Sequence, residues 1–140
     1  MTELHEIVNL DAGWVLGTSN GYVYIIATKG QNRYPRGASR IVYIGKSGKR
    51  KERVLASLEE LMHDLQSGDV TLDAKCDTLT VYAIPAAQGD DVGNMEAAFF
   101  RVFERTIGGR PKATGNTPGE YAPGTVMPDH DIEDILRQVG

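Results

Sequence analysis

Two short runs of β-branched and aromatic residues, joined by a segment rich in glycine and arginine, most constrain the fold of this 140-residue chain. The first run covers 22–28 and the second covers 40–44. Residues of these types, bounded by turn-forming residues, are typical of strands. Because consecutive strands most simply pair with each other, the two runs predict an antiparallel hairpin whose long tip is a loop over 30–39.

The predicted hairpin has two chemically different faces because side chains alternate across a strand. Tyr22 and Tyr24 share one face of the first strand, and the aliphatic residues beside them take the other. Tyr43 alternates with Val42 and Ile44 in the second strand. We therefore expect the phenols on one face and the aliphatic side chains, including Val42 and Ile44, on the other.

The periodicity of the later chain predicts one more strand and the helices that cover the sheet. Apolar residues at helical spacing predict a helix over 51–66 that Gly68 ends, and 77–85 has the composition of a strand. Asn94 is placed to cap a helix that runs to Ile107.

The two ends of the chain contribute smaller elements. The opening segment, 4–16, contains strand-like stretches. After a Gly- and Pro-rich loop over 109–128, we expect Asp129 or Asp131 to cap a short acidic helix that runs through Val139.

These elements follow the order β-β-α-β-α-α, which indicates an α+β fold with a small sheet of three core strands flanked by helices. The length predicts a single domain, 1–140, with its core over about 21–108 and a loop and C-terminal helix over 109–140. The composition, 41% hydrophobic and 24% charged, is that of a globular protein. No apolar run is long enough to cross a membrane and the N-terminus lacks the layout of a secretory signal, which together predict a cytoplasmic location.

Positive charge is concentrated in one segment, although the whole chain has a net charge of −4. Residues 29–53 contain nine of the fifteen lysines and arginines and one acidic residue, so this segment carries +8 and the remainder carries −12. A local positive field attracts polyanions, and the alternative is a solvated loop of like charges. The side chains that we expect to contact a nucleic-acid backbone are Lys29, Arg33, Arg36, Arg40, Lys49, Arg50 and Lys51.

The junction between the second strand and the first helix, 43–53, suggests a phosphate site. Gly45-Lys46-Ser47 invites comparison with a nucleotide-binding P-loop, whose turn needs a glycine five residues before its second one. Arg40 occupies that position here, which excludes this class of site.

The short motifs, taken in order, resemble those of the GIY-YIG nuclease domain. The first motif is Tyr22-Val23-Tyr24 and the second is Tyr43-Ile44-Gly45; Arg53 follows at a helix start, and Glu96 near the start of the next helix. The resemblance covers about 21–107 in order, spacing and predicted elements. It implies a GIY-YIG-like fold and a metal-dependent endonuclease that hydrolyses phosphodiester bonds in DNA, with RNA as an open alternative.

The resemblance also implies a role for each matched residue. Glu96 would hold one divalent ion, Mg²⁺ or Mn²⁺, and Arg53 would bind the scissile phosphate. Tyr24 or Tyr43 would orient or deprotonate the attacking water, while Lys46 would assist a tyrosine or contact phosphate. Further members of the expected site are Tyr22 and Gly45.

Two positions depart from the resemblance. Family members often have an Asn about a dozen residues beyond the metal-binding Glu; this chain has Gly108 there, so the candidate is Asn116, which follows Arg110-Pro111. The His sometimes found one turn after the helix Arg is Ser57 here, which leaves the identity of the proton acceptor open.

Each matched residue also has a structural interpretation: sheet aromatics with satisfied hydroxyls, an exposed charge, or a carboxylate at a helix start. Glu96, however, heads a stripe of aromatic residues, and a carboxylate at the edge of a core requires a cation. The alternatives are an inactive GIY-YIG-like module that binds nucleic acid or protein, and an interaction domain whose acidic part binds a partner. Double-strand cutting would need a homodimer or two nicks, and targeting is expected to need a partner protein.

Overall fold

The structure, a computed structural model, describes residues 5–7, 21–47, 52–74, 79–86, 92–113 and 128–140, with the backbone alone at 5–7, 52 and 53. Its elements in chain order are β1 (His5–Ile7), β2 (Tyr22–Tyr34), β3 (Gly37–Ser47), α1 (Glu52–Ser67), β4 (Leu79–Pro85), α2 (Val92–Ile107) and α3 (Asp129–Val139). None of the described helices is long and apolar enough to cross a membrane.

The strands form one antiparallel sheet in the order β1-β4-β2-β3, so β3 is an edge strand. The α+β class is confirmed, and β1 adds a fourth strand to the three predicted from the core. Helix α1 packs on one face, which we call the α1 face, and helices α2 and α3 pack on the opposite face, the α2–α3 face.

The predicted separation of phenols from aliphatic side chains holds only in part, since Ile26 lies among the tyrosines of the α1 face and Tyr34 lies among the aliphatic residues of the α2–α3 face. Ile44 lies on the α2–α3 face, but Val42 is buried with the tyrosines on the α1 face. The reason is a β-bulge: Ile26 pairs with Tyr43 and Ala27 pairs with Ile41, which leaves Val42 as an extra residue in β3. Its carbonyl accepts a hydrogen bond from the backbone N–H of Ala113 at 2.8 Å.

The predicted loop over 30–39 is wrong, because both strands continue to a two-residue turn at Pro35-Arg36. A fully buried amide holds this part of the hairpin. The Asn32 side chain donates to the Thr28 hydroxyl at 2.9 Å and to the Ser39 carbonyl at 3.2 Å. It also accepts from the backbone N–H of Ala74, so its burial leaves the amide satisfied.

The helix predictions are correct in position and wrong in two caps. Gly68, with φ of +84°, follows α1 as predicted. Helix α2 begins two residues before Asn94, which is therefore a buried residue of its first turn and not its cap. Helix α3 has Pro128 at its N-cap, so Asp129 and Asp131 lie in the first turn, where carboxylates favour the helix dipole.

The topology brings the ends of several strands and the starts of two helices to one end of the sheet. Tyr22 at the start of β2 pairs with Ser47 at the end of β3 and with Pro85 at the end of β4. Only 48–51 separates β3 from α1, and only 86–91 separates β4 from α2. The N-terminal ends of both helices therefore lie at this end of the sheet, which also carries Tyr24 and Gly45.

Candidate active site

The tyrosines of the two motifs lie against each other on the α1 face. The rings of Tyr24 and Tyr43 are stacked, with centroids 5.7 Å apart and an interplanar angle of 15°. Tyr22 lies beside them, its centroid 6.2 Å from that of Tyr24. Tyr22 and Tyr24 are fully buried, whereas Tyr43 is 6% exposed. The structure thus brings the phenols of both motifs together, as predicted.

Gly45 makes this stack sterically possible. It pairs with Tyr24 across the hairpin, and the Tyr24 ring lies over it. A Cβ atom at Gly45 would lie 2.5 Å from Tyr24 Cζ, 2.6 Å from its hydroxyl oxygen and 2.9 Å from Tyr43 Cε1. All three separations are too short for real contacts, so the position requires a residue without a side chain.

Ser57 of α1 joins the two phenols through hydrogen bonds. Its Oγ lies 2.6 Å from the Tyr24 hydroxyl and donates to the Tyr43 hydroxyl at 3.1 Å. The Ser57 residue is 5% exposed, and both hydrogen bonds are buried. A buried hydroxyl is costly unless it is hydrogen-bonded, and here Ser57 provides each phenol with a hydrogen-bond partner.

Ser57 departs from the family pattern, and its place in the candidate site was not predicted from the sequence. A signal was present in the helical spacing of α1. Val54 and Leu61 are buried against the sheet, and Ser57 lies on the same stripe, one turn after Val54 and one turn before Leu61. A small polar residue on an apolar stripe indicates a buried polar partner opposite it.

Glu96 lies in the second turn of α2, near the end of the sheet described above, and is 5% exposed. The aromatic stripe that it heads is confirmed as buried: Phe99, Phe100 and Phe103 are all within the core. Glu96 is thus a buried carboxylate at the boundary of a hydrocarbon core, and a carboxylate in such a place requires a polar or cationic partner.

For two further residues of the expected site, Arg53 and Lys46, no contact with the tyrosines is seen in the part of the chain that the structure describes. Arg53 is the second residue of α1, at the helix start that faces this end of the sheet; its side chain lies outside the described residues, as does Asn116. Lys46 is exposed and pairs with Val23, whose side chain belongs to the α2–α3 face. Lys46 therefore does not join the hydroxyl cluster, which consists of Tyr24, Ser57 and Tyr43. Its role stays a prediction.

The predicted basic surface is divided in the structure. Lys29 and Arg33 are exposed. Arg36 donates to the carbonyl of Arg105 at 2.8 Å and Arg40 to the carbonyl of Gln138 at 3.5 Å, near the C-terminal ends of α2 and α3. Cations stabilise helix C-termini, so these two arginines have a structural role of their own. The remaining predicted contacts, Lys49, Arg50 and Lys51, lie outside the described residues.

Tyr34 shows how a purely structural tyrosine behaves in this fold. It lies on the α2–α3 face, where its ring meets the edge of Phe103, with centroids 5.3 Å apart. Its hydroxyl donates to the carbonyl of Ile41 at 2.7 Å and accepts from the backbone N–H of Lys112 at 3.1 Å. Burial raises the pKa of Tyr34 to about 12. Its partners are backbone groups, in contrast to the side-chain hydroxyls that join Tyr24, Ser57 and Tyr43.

The donor chemistry near the sheet end fits a hard divalent ion. Mg²⁺ prefers oxygen ligands and keeps several waters, so one carboxylate, that of Glu96, is a sufficient protein ligand. In the part of the chain that the structure describes, no three or more His, Cys, Asp or Glu residues gather into a metal-binding group.

Comparison with known proteins adds no assignment to this geometry. The chain has no significant match to a protein-family model, a curated protein or a solved structure.

Proposed function

We propose that this chain is a divalent-metal-dependent endonuclease that hydrolyses phosphodiester bonds in DNA through a GIY-YIG-type site. The observation that carries the proposal is the joined pair Tyr24 and Tyr43, packed over Gly45 at the sheet end where α1 and α2 begin. Arg53 and the buried carboxylate of Glu96 belong to those two helix starts. Together these residues provide the phenols, the guanidinium group and the carboxylate that such a reaction requires.

In the proposed reaction, each residue of the site would have its own role. Arg53 binds the scissile phosphate and stabilises the charge that gathers on its oxygens in the transition state. Tyr24 or Tyr43 orients the attacking water and takes part in its deprotonation. Glu96 would hold the metal ion, and the ion, when bound, would stabilise phosphoryl charge and activate water. Lys29 and Arg33, exposed on the hairpin, would contact the nucleic-acid backbone without reading its sequence.

Plasmid nicking in the presence of Mg²⁺ or Mn²⁺ tests this function. The wild type is expected to convert supercoiled plasmid to the nicked form, and chelation of the metal should abolish the reaction. Glu96→Gln keeps the shape of the side chain but removes its charge, and Arg53→Ala removes the phosphate-binding cation. Each change should lower the rate on the order of 10²–10³-fold.

Matched controls separate site effects from general charge effects. Glu60→Gln changes an exposed carboxylate on α1, and Arg137→Ala changes a guanidinium that is 74% exposed on α3. Both should nick at the wild-type rate. In parallel, Mn²⁺ should raise the unfolding midpoint of the wild type but not that of Glu96→Gln, because a ligand stabilises only the form that binds it. Wild-type nicking that survives both site substitutions would sink the proposal.

The second candidate function is an inactive GIY-YIG-like module that binds nucleic acid or a protein. The observation that favours it is the burial of the phenols, since Tyr24 is fully buried and Ser57 provides each phenol with a hydrogen-bond partner. This candidate predicts binding of DNA at low salt without cleavage in any metal, and no effect of Glu96→Gln on that binding.

A further inference from the structure

The hydroxyl cluster on the α1 face has a direction. A serine hydroxyl has one proton, and the geometry fits Ser57 as the donor to Tyr43. The Ser57 oxygen must then be the acceptor in its 2.6 Å contact with Tyr24, in which either atom could donate. The bonds therefore run from Tyr24 to Ser57 to Tyr43, and the proton of Tyr43 is directed to a group other than Ser57.

The two ends of this chain of hydroxyls differ in access. Tyr24 is fully buried at the donor end, beneath α1 and over Gly45. Tyr43, at the acceptor end, is 6% exposed and is therefore less completely buried than Tyr24. If the Tyr43 oxygen gains negative character, it accepts a hydrogen bond from Ser57 whose oxygen is itself polarised by Tyr24, and bonds in such a chain strengthen one another.

We propose that Ser57 is a positioning residue that couples Tyr24 and Tyr43 into one unit, with Tyr43 as the phenol that orients the attacking water. This inference rests on the proposed nuclease function and adds to it the choice between the two tyrosines. Ser57 does not touch the substrate; it fixes the rotation of the Tyr43 hydroxyl and the separation of the two phenols. A misplacement of about 1 Å in such a group is enough to cost on the order of 10²-fold in rate.

Substitution of Ser57 tests the coupling through kinetics. Ser57→Ala should lower kcat on the order of 10²-fold with little change in KM, because ground-state binding of DNA does not involve this hydroxyl. Ser57→Thr keeps the hydroxyl and should restore the rate to within about tenfold of the wild type, allowing for the extra methyl group. The double substitution Ser57→Ala with Tyr24→Phe should be no slower than Ser57→Ala alone, since both break the same unit. Multiplying losses would overturn the coupling.

The phenols are compared directly. Tyr43→Phe should lose more activity than Tyr24→Phe, because Tyr43 is the less buried of the two phenols. Equal losses, or a larger loss in Tyr24→Phe, would overturn the choice of Tyr43 as the phenol that orients the water.

A readout that does not depend on cleavage distinguishes this inference from the proposed function. Buried, hydrogen-bonded hydroxyl protons exchange slowly enough to be observed by NMR, and we expect those of Tyr24 and Ser57 in the wild type and in Ser57→Thr. In Ser57→Ala, which has no serine hydroxyl, the Tyr24 signal should shift and exchange faster. If the signals are present but no DNA is cleaved with any metal, the proposed function and the positioning role of Ser57 in it both fail. If DNA is cleaved and Ser57→Ala nicks at the wild-type rate, only the role of Ser57 fails.

Discussion

The two faces of the sheet solve the same packing problem with different chemistry. On the α2–α3 face, aliphatic strand residues meet a phenylalanine-rich helix, and Tyr34 bonds only to backbone groups. On the α1 face, the phenols of Tyr24 and Tyr43 share a hydrogen-bonded hydroxyl from Ser57. Hydrocarbon burial stabilises a fold without such precision, whereas buried hydroxyls are costly if any bond is lost. The packing of the α1 face therefore depends on polar geometry in a way that the packing of the α2–α3 face does not.

The largest effect on stability is expected on the α2–α3 face. Phe103 is 2% exposed, and Phe103→Ala should lower the free energy of unfolding by about 3–5 kcal/mol through lost burial and the cavity left behind. Denaturant unfolding measures this loss. Phe103→Leu, which retains most of the volume, is the control and should lose clearly less. Similar losses in the two variants would contradict close packing on this face.

A smaller loss of stability, together with a displacement of the two phenols from Ser57, is expected at the tyrosine stack. Gly45→Ala forces the Tyr24 ring to move, which should cost about 1–3 kcal/mol and separate the phenols from Ser57. Denaturant unfolding and loss of the slowly exchanging hydroxyl signals measure the two effects. Gly109→Ala is the control, because its Cβ would meet its nearest atom, on Pro35, at an ordinary 3.4 Å. Unchanged hydroxyl signals in Gly45→Ala would show that the stack can accommodate a Cβ atom at this position, which would contradict the prediction.

Much of the fold is predictable from local pattern. The helical spacing gives α1, and Gly68, with its positive φ, ends that helix as expected. The strand composition gives β4 from Leu79 onward. These features depend on residues near one another in sequence, which is why periodicity and turn chemistry are sufficient to find them.

The long-range features are those that the sequence does not reveal. The bulge at Val42 involves the N–H of Ala113, and the extension of the hairpin depends on Asn32 meeting Ala74. Ser57 becomes part of the candidate site only because the fold presents it to both phenols. In each case a polar group finds its partner far along the chain, and no local pattern specifies that partner.

The buried Tyr34 of the α2–α3 face predicts a dependence of stability on alkaline pH. The pKa of Tyr34 is about 12 in the folded protein and 10.0 without perturbation, so folding favours the protonated form. This contribution is complete below pH 10 and is lost as the pH rises from 10 to about 12. Tyr34→Phe should lack that alkaline loss, although it should cost about 1–3 kcal/mol at neutral pH by leaving backbone groups unpaired. Denaturant unfolding at pH 8 and pH 11 gives both values, and identical alkaline losses in the two proteins would contradict this role of Tyr34.

The smallest effect is expected where α2 meets α3 at the surface. Hydrogen bonds from Arg101 first, and from Arg105, hold the pKa of Asp129 below its usual range. The resulting stability is present above the ordinary pKa of an aspartate and is lost as the pH falls through the lowered value. Because the Asp129 side chain is 36% exposed, Asp129→Asn should cause only a small loss at pH 7. The difference in stability between this variant and the wild type should vanish at strongly acidic pH. Thermal unfolding at pH 7 and at strongly acidic pH measures this difference. A difference that grows in acid would contradict the prediction.

One pair of matched substitutions tests the central claim most directly. Tyr43→Phe and Tyr34→Phe each remove one largely buried hydroxyl, the first from the α1 face and the second from the α2–α3 face. In metal-dependent plasmid nicking at a temperature where both variants are folded, Tyr43→Phe should be slower than wild type on the order of 10²-fold or more, while Tyr34→Phe should stay within a few-fold. Wild-type nicking by Tyr43→Phe would contradict the assignment of Tyr43 to the proposed active site.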